Sequence, residues 1–261
     1  MRINCLDQSP KPGFPRFGLI FFPLFFVVTI AAVGFLYCLY RQPSAPAPES
    51  RLHVTPAPIP EDPAVGDVFT FGTYEQDNDP ENGPEPVEWQ VLAVEDGRVL
   101  LISKYALDAK PYNTNWVRRT WEGCSLRKWL NGEFYSRAFS PAEQERIVTV
   151  KNVNPDHPTT RIKGGKDTED RIFLLTIDEA GARFPSDDAR RCRATAYAKA
   201  NGTYVNEYHG DSWYWLRSRG ATSLTASLVL FSGYVNTVGY GVNNSGGYVR
   251  PAMWLREMNS D

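Results

Sequence analysis

Groups that could do covalent or acid–base chemistry are few and scattered along this chain. The three histidines, His53, His157 and His209, fall in separate segments, and no His-Glu-x-x-His or Cys-x-x-Cys spacing offers a zinc site. His209 beside Asp211 could orient an acid–base pair, although a loop histidine ahead of a Trp-rich strand reads as exposed. Asp77, Asp79 and Glu81, with Glu88 twelfth in the run, hint at a calcium loop. Gly83 stands one place late there and Pro80 and Pro84 stiffen the backbone, so the EF-hand pattern fails and a solvated acidic loop is expected. There is no Gly-x-Ser-x-Gly elbow, and Gly164-Gly-Lys-Asp167 is too short to cradle phosphate. Cys124 and Cys192 either pair as a disulfide, worth about 3 to 4 kcal/mol if unstrained, or sit as two buried thiols. Neither catalysis nor a cofactor or metal is expected.

The chemistry that remains is recognition. From Ala221 to Gly247 there is no Asp, Glu, His, Lys, Arg or Cys. Valines recur at 229, 235, 242 and 249, and glycines at 233, 239, 241, 246 and 247; the positions between them hold mostly Thr, Ser, Leu, Phe, Tyr and Asn. Tyr supplies rigid amphipathic area and Ser or Asn adaptable hydrogen bonding, the make-up of binding surfaces. Ordinary short strands and tight turns share this composition, so a plain structural reading stands beside the binding one. At either end, Trp213-Tyr-Trp-Leu-Arg-Ser218 and Tyr248-Val-Arg-Pro-Ala-Met-Trp-Leu255 read as strands anchored in a core. Alternation should turn one face of the first of these strands inward. Arg217 and Arg250 read as frame residues with carboxylate or carbonyl partners.

Upstream elements must hold that segment. Strands are expected near 67–72, 87–94 and 98–103, the last two joined by a hairpin turn at Glu95-Asp-Gly97. Leu126, Trp129 and Leu130 share a helical face. Ser140-Pro-Ala-Glu143 carries a capping box with Pro at the first helical position. Residues 171–177 read as a buried strand leading into a short helix at 178–181, and strands then predominate, giving an α+β domain. The net charge of −2 and the lack of a concentrated basic face argue against a nucleic-acid partner; Arg190-Arg-Cys-Arg193 reads as a solvated loop.

Trp213–Gly220 followed by Gly246–Leu255 resembles the closing signature, written WWLRSPG and GVRPALWL, of a widespread bacterial domain of uncharacterised function. Arg219 replaces the usual Pro and Met253 the usual Leu. The resemblance extends through Gly66–Gly72, Val87–Leu92, Leu126–Asn131, Asp170–Leu175 and Thr195–Ala198, covering roughly residues 64–256. It implies a C-type-lectin-like fold, shared with formylglycine-generating enzymes and with the variable proteins of diversity-generating retroelements. In the latter, adenine-directed mutagenesis turns Asn codons into Tyr, Ser, Thr, Phe, Leu and others. By that resemblance the ligand-binding positions would be Thr222, Ser223, Leu224, Thr225, Leu228, Phe231, Ser232, Tyr234, Asn236, Thr237, Tyr240, Asn243, Asn244 and Ser245. Alternatives are a non-diversified structural or adhesion module of the cell envelope and an exported enzyme of the formylglycine-generating type. That enzyme would need a pair of cysteines late in the fold, where this chain has none. A binding face predicts exposed side chains at Phe231, Tyr234 and Tyr240; a structural module predicts them buried.

Location comes from the other end. Residues 17–40 run without a charge, enough at ~1.5 Å per residue for a helix to cross a ~30 Å hydrocarbon core. The run is longer than a cleaved signal's apolar region and ends in Tyr40 and Arg41 without a small-residue cleavage site, so a single transmembrane helix is expected. Arg2, Lys11 and Arg16 before it tilt the positive-inside balance toward residues 1–16 as a cytoplasmic tail. Residues 41–63 contain seven prolines and read as a polyproline stalk reaching roughly 70 Å. Residues 64–261 then form an extracytoplasmic head whose partner is a protein or glycan at a cell surface.

Overall fold

The computed structural model describes residues 62–202 and 210–256, all within one unit, Val54–Asp261. The predicted tail, membrane helix and nearly all of the predicted stalk lie outside the described residues, as does His209. Among the described residues no helix is long and apolar enough to cross a membrane. Pro63, the last stalk residue, is already buried, so the head begins at or before it.

Strand β1 (Val68–Tyr74) pairs antiparallel with β2 (Glu85–Glu95), which turns into β3 (Arg98–Ser103). The turn is the expected one. Asp96 and Gly97 both take positive φ, 51° and 67°, the backbone of the two-residue turn whose twist matches flanking strands. Along β2, Val87, Trp89 and Val91 alternate inward, until a register shift between Val91 and Ala93 buries Leu92 and Ala93 together. After β4 (Asp108–Ala109), helix α1 (Ser125–Trp129) opens on Cys124, whose Sγ accepts from the Arg127 N–H. A π-turn at Leu130–Phe134 and α2 (Tyr135–Ala138) continue it; Leu126 and Leu130 of the expected face are buried, Trp129 is half-buried against the core, and Phe134 is buried beyond them. Helix α3 (Pro141–Arg146) has the expected capping box. Its Glu143 serves twice, Oε2 accepting from Ser140 N at 2.8 Å and Oε1 from Gly72 N at 2.9 Å.

Short strands β5 (Ile147–Val148), β6 (Val150–Asn152), β7 (Thr168–Asp170) and β8 (Ile172–Phe173) follow. The long strand expected at 171–177 is cut short at Phe173. Beyond it the Leu174 carbonyl accepts from the Arg217 guanidinium and the Leu175 carbonyl from the Arg217 backbone N–H. Helices α4 (Ile177–Ala182), α5 (Asp187–Arg190) and α6 (Ala196–Asn201) precede β9 (Tyr214–Arg219), β10 (Thr225–Val229), β11 (Val235–Gly241), β12 (Tyr248–Val249) and β13 (Ala252–Arg256).

The described residues form a mixed α+β domain with several sheets. One runs β1-β2-β3-β13-β5, with β8 also on β13; a second runs β11-β10-β9-β12-β4; β6 and β7 pair by themselves. A single continuous core joins them. Trp213, Tyr214 and Trp215 are all buried, against the expectation of one inward face. β9 lies inside its sheet, between β10 and β12, and both its faces are covered: Trp215 packs on Tyr112 while the Tyr214 hydroxyl donates to the Arg190 carbonyl. Cys124 and Cys192 are free and buried, which settles the open choice in favour of two thiols.

Candidate ligand-binding face

The segment 221–248 lies at the outer edge of the second sheet. β11 is an edge strand; turns at 230–234 and 242–247 join it to β10 and β12, and the turn at 221–224 joins β9 to β10. The frame is made by backbone and by buried groups. Val229, Val242 and Val249 are in the core and Val235 packs against it. Leu230 N donates to Tyr234 O, Val242 N to Leu224 O, and Lys110 N to Gly247 O, at 2.8–2.9 Å. Gly233 (φ +83°) packs so closely on the Asp187 carbonyl that a Cβ there would collide with it, and Gly239 (φ +81°) is pressed in the same way on Ala226. Gly247 has the Trp215 indole where a side chain would stand.

Both arginines behave as frame. Arg217 is buried and forms a two-pronged ion pair with Glu179, Nη1 to Oε2 at 2.7 Å and Nη2 to Oε1 at 3.1 Å. Arg250 is satisfied by the Ser103 and Arg190 carbonyls and the Tyr214 hydroxyl, and its guanidinium lies near the faces of Phe184 and Tyr214. Arg190 corrects the expectation of a solvated 190–193 loop. It is buried, with Nε donating to the Gly233 carbonyl and Nη1 to that of Ala180, and it pairs with Asp187.

The candidate positions divide by exposure. Thr222, Ser232, Tyr234, Tyr240, Asn243, Asn244 and Ser245 are exposed; Ser223, Leu224, Thr225, Phe231, Asn236 and Thr237 are half-buried. Leu228 is a correction: it sits opposite Trp215 and Asn236 in the middle strand of three and is fully buried, so its side chain belongs to the core. Tyr234 is 58 % exposed and Tyr240 38 %, while Phe231 is intermediate. Tyr240 also heads an aromatic column running inward, edge-on to Trp213 at 5.1 Å, then Trp215 at 4.9 Å, Tyr112 at 5.9 Å and Trp121 at 6.1 Å. A groove of about 620 Å³ adjoins one end of the face, between Tyr234 and Thr237 on one side and Ile177, Asp178, Gly181 and Arg190 on the other.

Two exposed groups escaped the sequence reading. Val238, 65 % exposed, was not among the candidate positions, and the loop carrying Trp116, 53 % exposed, lies far away in the chain. The cue for the loop is Trp116-Val-Arg-Arg119 in a stretch without apolar periodicity.

Burial pushes the Cys124 thiol up to about 12 and raises that of Cys192, so neither presents a thiolate near neutrality. His157 is buried and structural. Its Nδ1 accepts from Thr159 N and Thr160 N, which puts the proton on Nε2, facing the Thr237 carbonyl at 2.9 Å. Asp211 is held by Arg191. Half-buried Glu75, exposed Asp77 and half-buried Glu85 at the start of β2 bring carboxylate oxygens within 4.8 Å of one another, whereas Glu88 of the expected acidic run pairs with Lys104.

No curated protein and no solved structure matches the chain. Residues 96–257, which include α1–α6, the whole candidate face and its frame arginines, match the model of a domain of unknown function, DUF6273. That match spans more than half of the chain, which therefore belongs to the DUF6273 family.

Proposed function

We propose that this is a membrane-anchored protein holding a C-type-lectin-like head outside the cytoplasm, and that residues 221–248 bind a macromolecular or glycan ligand at positions diversified by a retroelement. One observation carries the reading. The segment's backbone course is fixed by buried valines, close-packed glycines and main-chain hydrogen bonds, with Thr225, Asn236 and Asn244 also holding the turns, while Tyr234, Tyr240, Asn243 and Ser245 stand exposed on that frame. Side chains that the fold does not need are free to serve recognition. The uncharged run 17–40 and the proline-rich 41–63 support the tether and stalk. The buried thiols with raised pKa speak for binding over an oxidase of the formylglycine-generating type.

Two experiments test this. Sequencing the DNA around the gene should reveal a reverse-transcriptase gene and a near-copy of the Trp213–Leu255 coding segment differing at adenines; finding neither removes diversification and leaves a module with one fixed partner. Protease treatment of intact cells should release the head, and a fully protected head would sink the outward orientation.

A further inference from the structure

Beside the uncharged face stands a loop of opposite character. Residues 114–119, Thr-Asn-Trp-Val-Arg-Arg, are exposed throughout, with Trp116 at 53 % and Val117 at 42 %. The loop is fastened to the face: Asn113 N donates to Val242 O at 2.7 Å, and the Trp116 ring covers Gly241 where a side chain would otherwise stand. Arg219 ties in from below, its Nη2 donating to the Ser223 carbonyl at 2.6 Å in the turn before β10.

The charges here are unbalanced. Among the described residues, Arg118, Arg119 and Arg219 form no ion pair with a carboxylate. Arg219 is 7 % exposed, and its Nε is buried without a hydrogen-bond partner. Burial, and with it the like charge of Arg118, draws the Arg219 guanidinium below its ordinary value, so the two cations lie within each other's field. Residues 221–247 supply no anion to offset them. Tryptophan and arginine are the side chains enriched, with tyrosine, at protein–protein hot spots. Val117 and Val238 present methyl groups that gain from burial against apolar neighbours, which a phosphate backbone does not offer and a sugar chain offers only on the C–H faces of its rings.

From this juxtaposition we infer that loop 114–119, with the charge of buried Arg219 behind it, is the charged half of the ligand face, and that its occupant is an acidic, partly apolar surface of another protein. The inference rests on the binding reading of residues 221–248 and names the class of partner.

The test is selection of a random peptide library displayed on phage against the full-length chain. Parallel selections use R118E/R119E, Trp116→Ala and, as a charge control, Lys199→Glu on α6, which packs on β4 at the opposite edge of the sheet. The expected pool is enriched in Asp and Glu beside apolar residues. Its binding should fall roughly tenfold or more on the arginine reversal and on Trp116→Ala, and stay unchanged on Lys199→Glu. Peptides that depend on Tyr234 and Tyr240 but carry no acidic excess would overturn the charged half and leave the binding reading intact. Failure to enrich any peptide, with sulfated or uronate glycans retained on an array instead, would overturn the protein partner; failure with both probes would remove the binding reading as well.

Discussion

Neighbouring residues in one turn have opposite duties. Gly233 lies in the left-handed region against the Asp187 carbonyl, and its own carbonyl accepts from buried Arg190, while Ser232 and Tyr234 on either side face solvent. Gly233→Ala should therefore destabilise the head by about 2 kcal/mol or more through clash and strain, whereas Ser232→Ala and Tyr234→Ala should stay within about 0.5 kcal/mol; chemical denaturation distinguishes the three. The thiols make a second residue-scale prediction. In a chain with Cys5 and Cys38 changed to Ser, a thiol reagent at mildly alkaline pH should label neither Cys124 nor Cys192 until the protein is unfolded, because both thiolates are suppressed by burial. Rapid native labelling of either would reopen the enzyme reading. Residue types alone could not have placed Leu228. It looks as interchangeable as Leu224, and only its position opposite Trp215 puts it in the core.

Elements bind this fold through residues that act twice. Glu179 closes the capping box of α4 with Thr176 and also holds buried Arg217 of β9. Glu179→Ala should cost about 3 kcal/mol, because it strands a buried guanidinium, while Thr176→Ala, which removes only the cap, should cost about 1 kcal/mol; thermal melts of the two variants give the comparison. The β1–β2 connection predicts a pH effect. Burial, with the nearby Asp77 and Glu75 carboxylates adding to it, raises the Glu85 pKa above its unfolded value. The ionised group then opposes folding fully above the folded-state value, and that opposition fades as pH falls from there toward the unfolded value and is gone below it. Glu85→Gln should accordingly stabilise the protein at neutral pH and lose its advantage in acid; an advantage unchanged by acidification would contradict this. Local elements were largely legible in the sequence: the Asp96-Gly97 turn, the Ser140 capping box and the spacing of Leu126 and Leu130 all rest on neighbours within a few residues. Burial of Trp213 through Trp215 was not, because the second flank of β9 is β12, which arrives some thirty residues later. Arg190 escaped for the same reason, since Gly233 supplies one of its carbonyls.

At the scale of the whole molecule, two sheets and one core support a face assembled from distant parts of the chain. The frame valines and glycines announced residues 221–248 as a unit, but nothing local tied Trp116 to Gly241, more than a hundred positions away. The aromatic column beginning at Tyr240 has a consequence beyond packing. Trp213 and Trp215 lie edge to face at 4.9 Å, with an exposed tyrosine at the outer end of the column and Trp121 at the inner end. Light absorbed by the tyrosines of the stack passes downhill to its tryptophans, and Tyr240 lies against Trp213, so the emission and near-ultraviolet dichroism of the indoles should respond to what touches Tyr240. The head thus contains its own optical reporter. An occupant of the face should shift the tryptophan spectrum without any label, Tyr240→Ala should silence the tyrosine end of that signal, and unknown ligands can be sought by watching the protein's own light.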